Sequence, residues 1–198
     1  MIEIIKTETF ERWLLGLKDR LACFRIQARI DRLALGIAGD SKVLRDGISE
    51  MRIDHGPGYR VYFARRGPVL IVILAGGDKR TQDADIERAI AIANEWKEWR
   101  MAEKFSRWDS ADYLKSEEDI DLYFEACLAE DPGDGSLIRA ALGTIARARG
   151  MSQLARDTGL AREGLYKALS PEGNPEFATV MKVIKALGLK LAVQTTRA

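Results

Sequence analysis

The sequence predicts an α+β domain followed by an all-α domain, and three observations support this order. Apolar residues recur at helical spacing at both ends of the first hundred residues, and alternating, strand-like segments lie between them. The second half has helical periodicity almost throughout. The charge balance also changes between segments, as described below. With 198 residues, the chain is long enough for one large or two small domains.

Two amphipathic helices are predicted first, because apolar residues recur every three or four positions. The first stripe is Phe10, Trp13, Leu14 and Leu17. The second stripe is Cys23, Ile26, Ile30, Leu33 and Ile37, and the helix is expected to end at Gly36 and Gly39.

A β-meander is predicted next. Met51 and Ile53 alternate with polar residues, and Tyr59, Val61 and Phe63 do the same after a Gly56-Pro57-Gly58 turn. A three-residue loop would place Ile53 opposite Val61 and Arg52 opposite Tyr62, so that the apolar residues share one face. The run 69–75 is apolar on both faces, which is typical of a central strand, and Gly76-Gly77-Asp78 is expected to end it. A third helix follows on the stripe Ile86, Ala89, Ile90, Ala93 and Trp96.

The polar face of this meander is a candidate ligand surface. Residues 42–80 contain eight Lys or Arg and four Asp or Glu. Arginines beside a tyrosine suit an anionic ligand with bases that can stack. A solvated sheet face without a ligand is the alternative. The residues expected here are Arg52, Asp54, His55, Arg60 and Tyr62, with Lys79 and Arg80 just beyond the third strand.

The second half reads as a series of helices. Ser116 followed by three acidic residues predicts a capped helix start, and 131–135 predicts its end. Gly150 closes the next helix, and a last helix ends at Gly188 before a short alternating strand. The apolar stripes are Ile120, Phe124, Cys127 and Leu128, then Ile138, Leu142 and Ile145, then Val180, Val183, Ile184 and Leu187, with Leu189, Leu191 and Val193 in the strand.

Residues 152–169 have the layout of a helix-turn-helix, in which a glycine at 159 separates two short helices. Leu154, Leu165 and Leu169 would face its core. A plain helical bundle is the alternative. Gln153 at the start of the first helix is expected to contact a DNA phosphate. The exposed residues of the second helix, expected to read DNA, are Arg162, Glu163, Tyr166 and Lys167.

Composition excludes several classes of protein. Two cysteines far apart exclude a disulfide framework, and one histidine excludes a multi-histidine metal site. No apolar run approaches the ~18 residues of a membrane span, and the N-terminus lacks the order of a signal peptide. We therefore expect a cytoplasmic protein without metal, cofactor or membrane partner.

Charge is distributed in blocks. Residues 103–135 contain 3 basic and 11 acidic side chains, a net charge of −8. Residues 136–198 contain 10 basic and 4 acidic side chains, a net charge of +6. Blocks of opposite sign indicate surfaces with different partners.

Both halves resemble known families. Residues 1–100 resemble HigB-like killer proteins of the RelE/ParE toxin superfamily, through the segments 47–54, 56–63 and 76–79. Residues 101–198 resemble HigA-like antidote proteins with an XRE-type helix-turn-helix, through 108–114, 145–155 and 164–175. Such partners are usually separate chains, and Met101 resembles an antidote start within this one. The resemblance implies three parts: a toxin domain 1–100, an acidic neutralising segment 101–135 and a DNA-binding domain 136–198.

The resemblance also implies partners and roles. The toxin half would cleave mRNA on the ribosome without a metal. Arg52, Arg60, Lys79 and Arg80 would hold the phosphate, His55 would transfer a proton, and Tyr59 and Tyr62 would stack on bases or donate a proton. The acidic segment would lie across the 42–80 sheet, in the same or a neighbouring chain. The DNA-binding domain would form a homodimer on operator DNA. The alternatives are a ParE-like gyrase poison and a transcription regulator with an inactive toxin-like domain. The residues expected to neutralise the toxin are Trp108, Asp109, Asp112 and Tyr113.

Overall fold

A computed structural model describes residues 2–68, 70–97 and 104–190. These residues form a six-stranded sheet and eight α-helices, so the mixed α and β character predicted from the sequence is confirmed. The strands are β1 (Glu3–Thr7), β2 (Ser41–Val43), β3 (Ile48–Ile53), β4 (Tyr59–Arg66), β5 (Leu70–Asp78) and β6 (Phe105–Arg107). The helices are α1 (Glu8–Leu15), α2 (Arg20–Ala34), α3 (Gln82–Lys97), α4 (Glu117–Glu130), α5 (Ser136–Arg149), α6 (Met151–Thr158), α7 (Arg162–Ala168) and α8 (Phe177–Ala186).

The strands lie in the order β2-β3-β4-β5-β1-β6. The predicted meander of β3, β4 and β5 is confirmed, because both pairs are antiparallel. Three strands were not predicted: β1 pairs parallel with β5, β6 pairs antiparallel with β1, and β2 pairs with β3. Each has at most five residues, too few for alternation to stand out from the neighbouring segments.

The predicted hairpin register is wrong by two residues, although the predicted faces are right. Ile53 pairs with Tyr59 and Arg52 pairs with Arg60. The connection is therefore five residues long, from 54 to 58, and the Gly58 N–H donates to the His55 carbonyl at 3.0 Å. A slip of two leaves every side chain on its original face, so the hydrophobic pattern does not distinguish the two registers.

Both faces of the sheet are covered. One face packs Met51, Ile53, Val61 and Phe63 under α1 and α2. The other packs Tyr62 with Ala89, Ile92 and Ala93 of α3. The open ligand face predicted around Tyr62 is therefore wrong, because the third helix lies on it and leaves Tyr62 with 0% of its surface exposed.

Strand β5 does not end at its glycines, as the sequence had predicted, but continues through Gly76 and Gly77 to Asp78. A Cβ atom on Gly76 would overlap the Trp13 ring, and one on Gly77 would overlap the Asp85 carboxylate. The glycines therefore allow α1 and α3 to approach the strand closely instead of breaking it.

Helix α2 connects the sheet to the second half of the chain. Ile26, Ile30 and Leu33 pack on the sheet, while Phe24 and Ala28 join a core built mainly by α4 to α8. The helix starts predicted at Ser116 and after 135 are confirmed, and Ser116 forms a capping box with Asp119.

The buried residues of the second half agree with the predicted core, with one exception. The predicted core residues Leu154, Leu165 and Leu169 are buried, as expected, whereas Leu128 is exposed because the buried side of α4 is centred on Phe124 and Cys127. The predicted terminal strand falls mainly on residues 191–198, outside the described residues, and so does the predicted domain division near residue 100.

Candidate functional site

The turn between β3 and β4 brings His55 to the start of α2. Asp19 caps that helix by accepting a hydrogen bond from the Ala22 N–H, and its other oxygen lies 2.8 Å from Nε2 of His55. The Ala22 N–H and then His55 lower the pKa of Asp19. A carboxylate that holds one ring nitrogen orients the imidazole and leaves Nδ1 for another partner. His55 and Asp19 therefore form an acid–base pair that is partly open to solvent.

A cleft of about 340 Å³ lies on the other side of Tyr59. Trp13 and Tyr59 meet edge to face with ring centroids 6.3 Å apart. Gly76, Gly77 and the buried carboxylate of Asp85 also line the cleft. Burial and the nearby Asp19 carboxylate raise the pKa of the Tyr59 phenol. The cleft thus combines aromatic surface with polar groups, a suitable lining for a nucleobase.

Two of the predicted cations lie beside this cleft. Arg80 is largely exposed and pairs with Asp78 at 2.8 Å. Lys79 is exposed, and its Cβ is close to Gly58 in the β3–β4 turn. The structure therefore brings His55, Lys79 and Arg80 to the same end of the sheet.

The other two predicted cations are held by a buried carboxylate that the sequence analysis missed. Glu50 has no exposed surface. It lies 3.0 Å from Nε of both Arg52 and Arg60 and accepts a hydrogen bond from Gln82 at 2.7 Å. Tyr62 lies nearby, and burial followed by the Glu50 charge raises the pKa of its phenol well above the ordinary value. Glu50, Arg60 and Tyr62 therefore form an ion cluster beneath α3, and Arg52, with 41% of its side chain exposed, lies at its edge.

The acidic segment docks on a different surface from the one predicted. It was expected to cross the 42–80 sheet, but β6 lies beside β1, three strands away from β4. Within one chain the expectation is wrong for the described residues 104–135, because the segment extends the opposite edge of the sheet and then packs α4 on α2. Docking on the 42–80 sheet of a neighbouring chain stays a prediction.

Two of the four predicted neutralising residues reach the N-terminal half. Trp108 packs on Phe10 and donates to Asp31 of α2 at 2.9 Å. The Tyr113 hydroxyl accepts a hydrogen bond from Lys6 of β1 at 2.6 Å. The remaining two do not make such contacts: Asp109 pairs with Arg147 of α5, and Asp112 is exposed.

Asp31 is a second residue that sequence reasoning missed. Tyr123 of α4 also donates to its carboxylate, at 2.5 Å, so two side chains from the second half converge on it. Burial raises the pKa of Asp31, and the hydrogen bonds partly oppose that rise. The sequence signal for Asp31 was its position as an acid among the basic and apolar residues of α2. Asp19 and Glu50 had no sequence feature that distinguishes them from acids exposed to solvent.

The predicted DNA-reading residues of α7 lie on an exposed surface. Arg162 lies over the Tyr166 ring, 5.5 Å from its centroid. Glu163 and Lys167 are also exposed. Gln153 of α6 donates to Asp157 at 2.7 Å and accepts from Arg156 at 2.5 Å, so its amide is already paired. Helix α7 begins at Arg162 without a side-chain cap, as Ala161 requires.

Comparison with known proteins identifies the second half. Residues 104–195 match the family described as probable addiction module antidote protein. Two relatives from Haemophilus influenzae, each named only as an uncharacterized protein, are 59% and 51% identical over 97 and 94 residues. These matches cover 49% and 48% of this chain but 98% and 95% of the relatives.

Residues 104–195 therefore resemble the addiction module antidote family. We call these residues the antidote segment. The toxin–antidote context inferred from the sequence is therefore confirmed, while the HigB and HigA assignments stay proposals. No solved structure matches the chain.

The described residues contain neither a membrane-spanning helix nor a cluster of metal ligands. None of the helices in the described ranges is long and apolar enough to cross a membrane. Within the same ranges, no three His, Cys, Asp or Glu side chains are arranged to hold a metal ion.

Proposed function

We propose that this chain is a type II toxin–antidote pair in one polypeptide. Residues 1–100 are a HigB-like mRNA endonuclease that acts on the ribosome, and the HigA-like antidote segment holds it inactive and binds operator DNA. The observation that carries this proposal is the docking of the antidote segment on the N-terminal half. Strand β6 completes the sheet, and Trp108 and Tyr123 both donate to Asp31.

The pair His55 and Asp19 supports an RNA-cleaving function. Cleavage without a metal requires a base for the 2′-hydroxyl, an acid for the leaving oxygen and cations for the phosphate. His55, oriented by Asp19, supplies the first role through Nδ1. Lys79 and Arg80 supply the charge, the cleft lined by Trp13 receives a nucleobase, and the Tyr59 phenol at its rim donates the proton to the leaving oxygen. Arg60 and Tyr62 leave the reacting set, because the buried Glu50 and α3 occupy them. Arg52 also pairs with Glu50 but has 41% of its side chain exposed, so it stays available beside the site.

The exposed side of α7 supports operator binding. We propose that α6 and α7 form the helix-turn-helix, that α7 enters the major groove, and that two chains bind an inverted repeat. Arg162→Ala should then cost about 1–3 kcal/mol on the operator and relax sequence preference, whereas Lys167→Ala should weaken binding to all DNA alike. Electrophoretic shift assays on operator and scrambled DNA at several salt concentrations distinguish the two. Unchanged affinity in both variants would place the DNA-reading surface elsewhere.

Expression of separate halves tests the toxin proposal. Residues 1–100 alone should arrest growth, and residues 101–198 supplied in trans should restore it. Mapping of mRNA ends after induction should show new cleavages within codons on ribosomes. The full chain, in which the halves are linked, should leave growth unaffected.

The alternatives predict other outcomes. DNA breaks at gyrase sites with intact mRNA would establish the gyrase poison. Harmless expression of a soluble 1–100 half, folded by circular dichroism, would favour a transcription regulator with an inactive domain.

A further inference from the structure

Helix α2 carries an arginine surface whose ion pairs are made with α4, although Arg29 also donates to the carbonyls of Ala38 and Asp40. We define this surface as Arg20 at the start of the helix and Arg29 and Arg32 near its end. Arg20 pairs with Glu118 and Asp119, and Arg29 and Arg32 both pair with Glu130 at 3.1 Å. All of these carboxylates belong to the first and last turns of α4.

The two helices run parallel, because the first turn of α2 pairs with the first turn of α4 and the end of α2 pairs with the end of α4. Glu118 and Glu130 are twelve residues apart, which is about 18 Å along a helix. The acidic helix therefore presents negative charge at both ends of the arginine surface. Such a spaced row of anions resembles the phosphates of an extended nucleic acid strand more than it resembles a single small ligand.

Aromatic residues lie between the charged ends of α2 and α4. Phe24 of α2 has 4% of its surface exposed, and it belongs to the same core as Ile120 and Phe124 of α4. Without α4, an aromatic ring would stand open between arginines. Arginines around an exposed aromatic ring are the usual means of binding single-stranded nucleic acid, in which the ring stacks a base and the cations hold the backbone.

The arginine surface is continuous with the candidate active site. Asp19, which holds His55, directly precedes Arg20 in the chain. Glu118 and Asp119 therefore pair with the residue that follows Asp19 of the acid–base pair. A strand with its reacting phosphate at His55 would meet the arginine surface as it leaves the site, and these carboxylates stand in its path.

We propose that the arginine surface of α2 binds the phosphate backbone of single-stranded RNA, and that α4 inhibits by placing its carboxylates where the phosphates would lie. This proposal rests on the proposed function, because it names the ligand surface of the toxin half. It differs from blocking the 42–80 sheet, since the antidote segment leaves that region uncovered and removes the cations along the approach instead.

Charge reversal in the full chain tests the proposal. The variant E118K/E130K removes two carboxylates from the arginine surface. The control D121K/E125K makes the same change in net charge at two exposed positions of the same helix. The probe is a fluorescein-labelled oligouridylate of about twelve nucleotides, followed by fluorescence anisotropy over a range of salt concentrations.

We expect E118K/E130K to bind the probe at least about tenfold more tightly than the control at low salt, with a steeper salt dependence, because more phosphates are neutralised. Arg20 has 46% of its side chain exposed and keeps Asp119 as a partner, so the guanidinium nitrogen freed from Glu118 becomes available even while α4 stays docked. Adding Arg20→Ala and Arg32→Ala should abolish the gain. If E118K/E130K folds poorly, E118Q against D121N gives the same comparison with a milder change.

Equal affinity in the variant and its control would overturn the proposal, and so would a gain that survives Arg20→Ala and Arg32→Ala. The same samples are analysed on a gel for RNA cleavage with ribosomes present. A gain in binding without cleavage would contradict the endonuclease while the RNA surface stands. Cleavage that does not depend on the α2 arginines would support the endonuclease and overturn the RNA-binding role of the arginine surface.

Discussion

Two groups of charged side chains that are close in the sequence have opposite environments in the fold. Arg60, whose side chain is 12% exposed, lies against Glu50, which has no exposed surface, beneath α3. Arg52 contacts the same carboxylate but keeps 41% of its side chain exposed. His55 lies in the β3–β4 turn and Arg80 lies just beyond β5, so both stand at the end of the sheet. The His55 side chain is 22% exposed and that of Arg80 is 81% exposed. The alternation of polar residues placed both groups on one ligand face. Strand parity decides which face a residue occupies, but it does not decide whether that face is covered.

The difference has consequences for function. A buried ion pair is constrained by the cost of leaving one member unpaired, so Arg60, held against Glu50, is not available to a ligand. The exposed group can exchange its partners for a substrate at little cost. Four variants, ordered from the largest expected effect to the smallest, test this distinction.

Replacing Arg60 with alanine should destabilise the protein most. The change removes a cation from the fully buried Glu50, and breaking a buried pair on one side costs about 3 kcal/mol or more. Urea unfolding followed by circular dichroism measures the loss. The double variant Glu50→Gln/Arg60→Ala should recover part of it, because no buried charge is left unpaired. A single variant as stable as the parent chain would show that the cluster is open to water.

Replacing His55 with alanine should abolish growth arrest by residues 1–100 with little change in stability. Loss of a positioned acid or base lowers a rate by about 10²-fold or more. The assay is ribosome-dependent cleavage of a defined mRNA. Asp54→Ala, an exposed neighbour in the same turn, is the control and should retain activity. Full cleavage by a folded His55→Ala half would remove the imidazole from the mechanism.

The pH dependence of stability should report on Asp31. Its pKa is raised in the folded state, so between the ordinary carboxyl value and the raised value the folded protein binds more protons than the unfolded one. Stability contributed by this group therefore falls as the pH rises through that window. Asp31→Asn should remove this slope from denaturant unfolding curves collected across the acidic range. An identical slope in both proteins would contradict the assignment.

Replacing Arg80 with alanine should have the smallest effect on stability. Its side chain is 81% exposed and pairs only with Asp78 among the contacts described for it, so the free energy of unfolding should hardly change. The same unfolding measurement as for Arg60→Ala allows direct comparison. A loss as large as that of Arg60→Ala would erase the distinction between the buried and exposed groups.

Much of the local structure was predictable from the sequence. The helical stripes gave α1, α2, α4, α5 and α8, and the alternation gave the meander and its inward face. Short segments were not predictable in this way. Strands β1, β2 and β6 form because a neighbour offers unpaired backbone groups, and no pattern of three to five residues contains that information.

The candidate site was predictable only in part. His55, Lys79 and Arg80 were named because a lone imidazole and a basic pair after a strand carry chemical meaning by themselves. Asp19 and Trp13 were not, since they lie about forty and sixty residues away from the positions they serve. The target of the acidic segment was also mispredicted, because charge complementarity alone fits the 42–80 arginines as well as those of α2.

The sequence by itself determined the periodicity of the elements, the caps at their ends and the blocks of charge, because these depend on neighbours within a few residues. The tertiary structure decided which charges are paired, which face is covered and where the antidote segment docks. Those outcomes depend on burial by distant elements: α3 over Glu50, and Trp108 and Tyr123 on Asp31. Burial fixes the energy of a charge, and it is a property of the assembled chain that no local pattern contains.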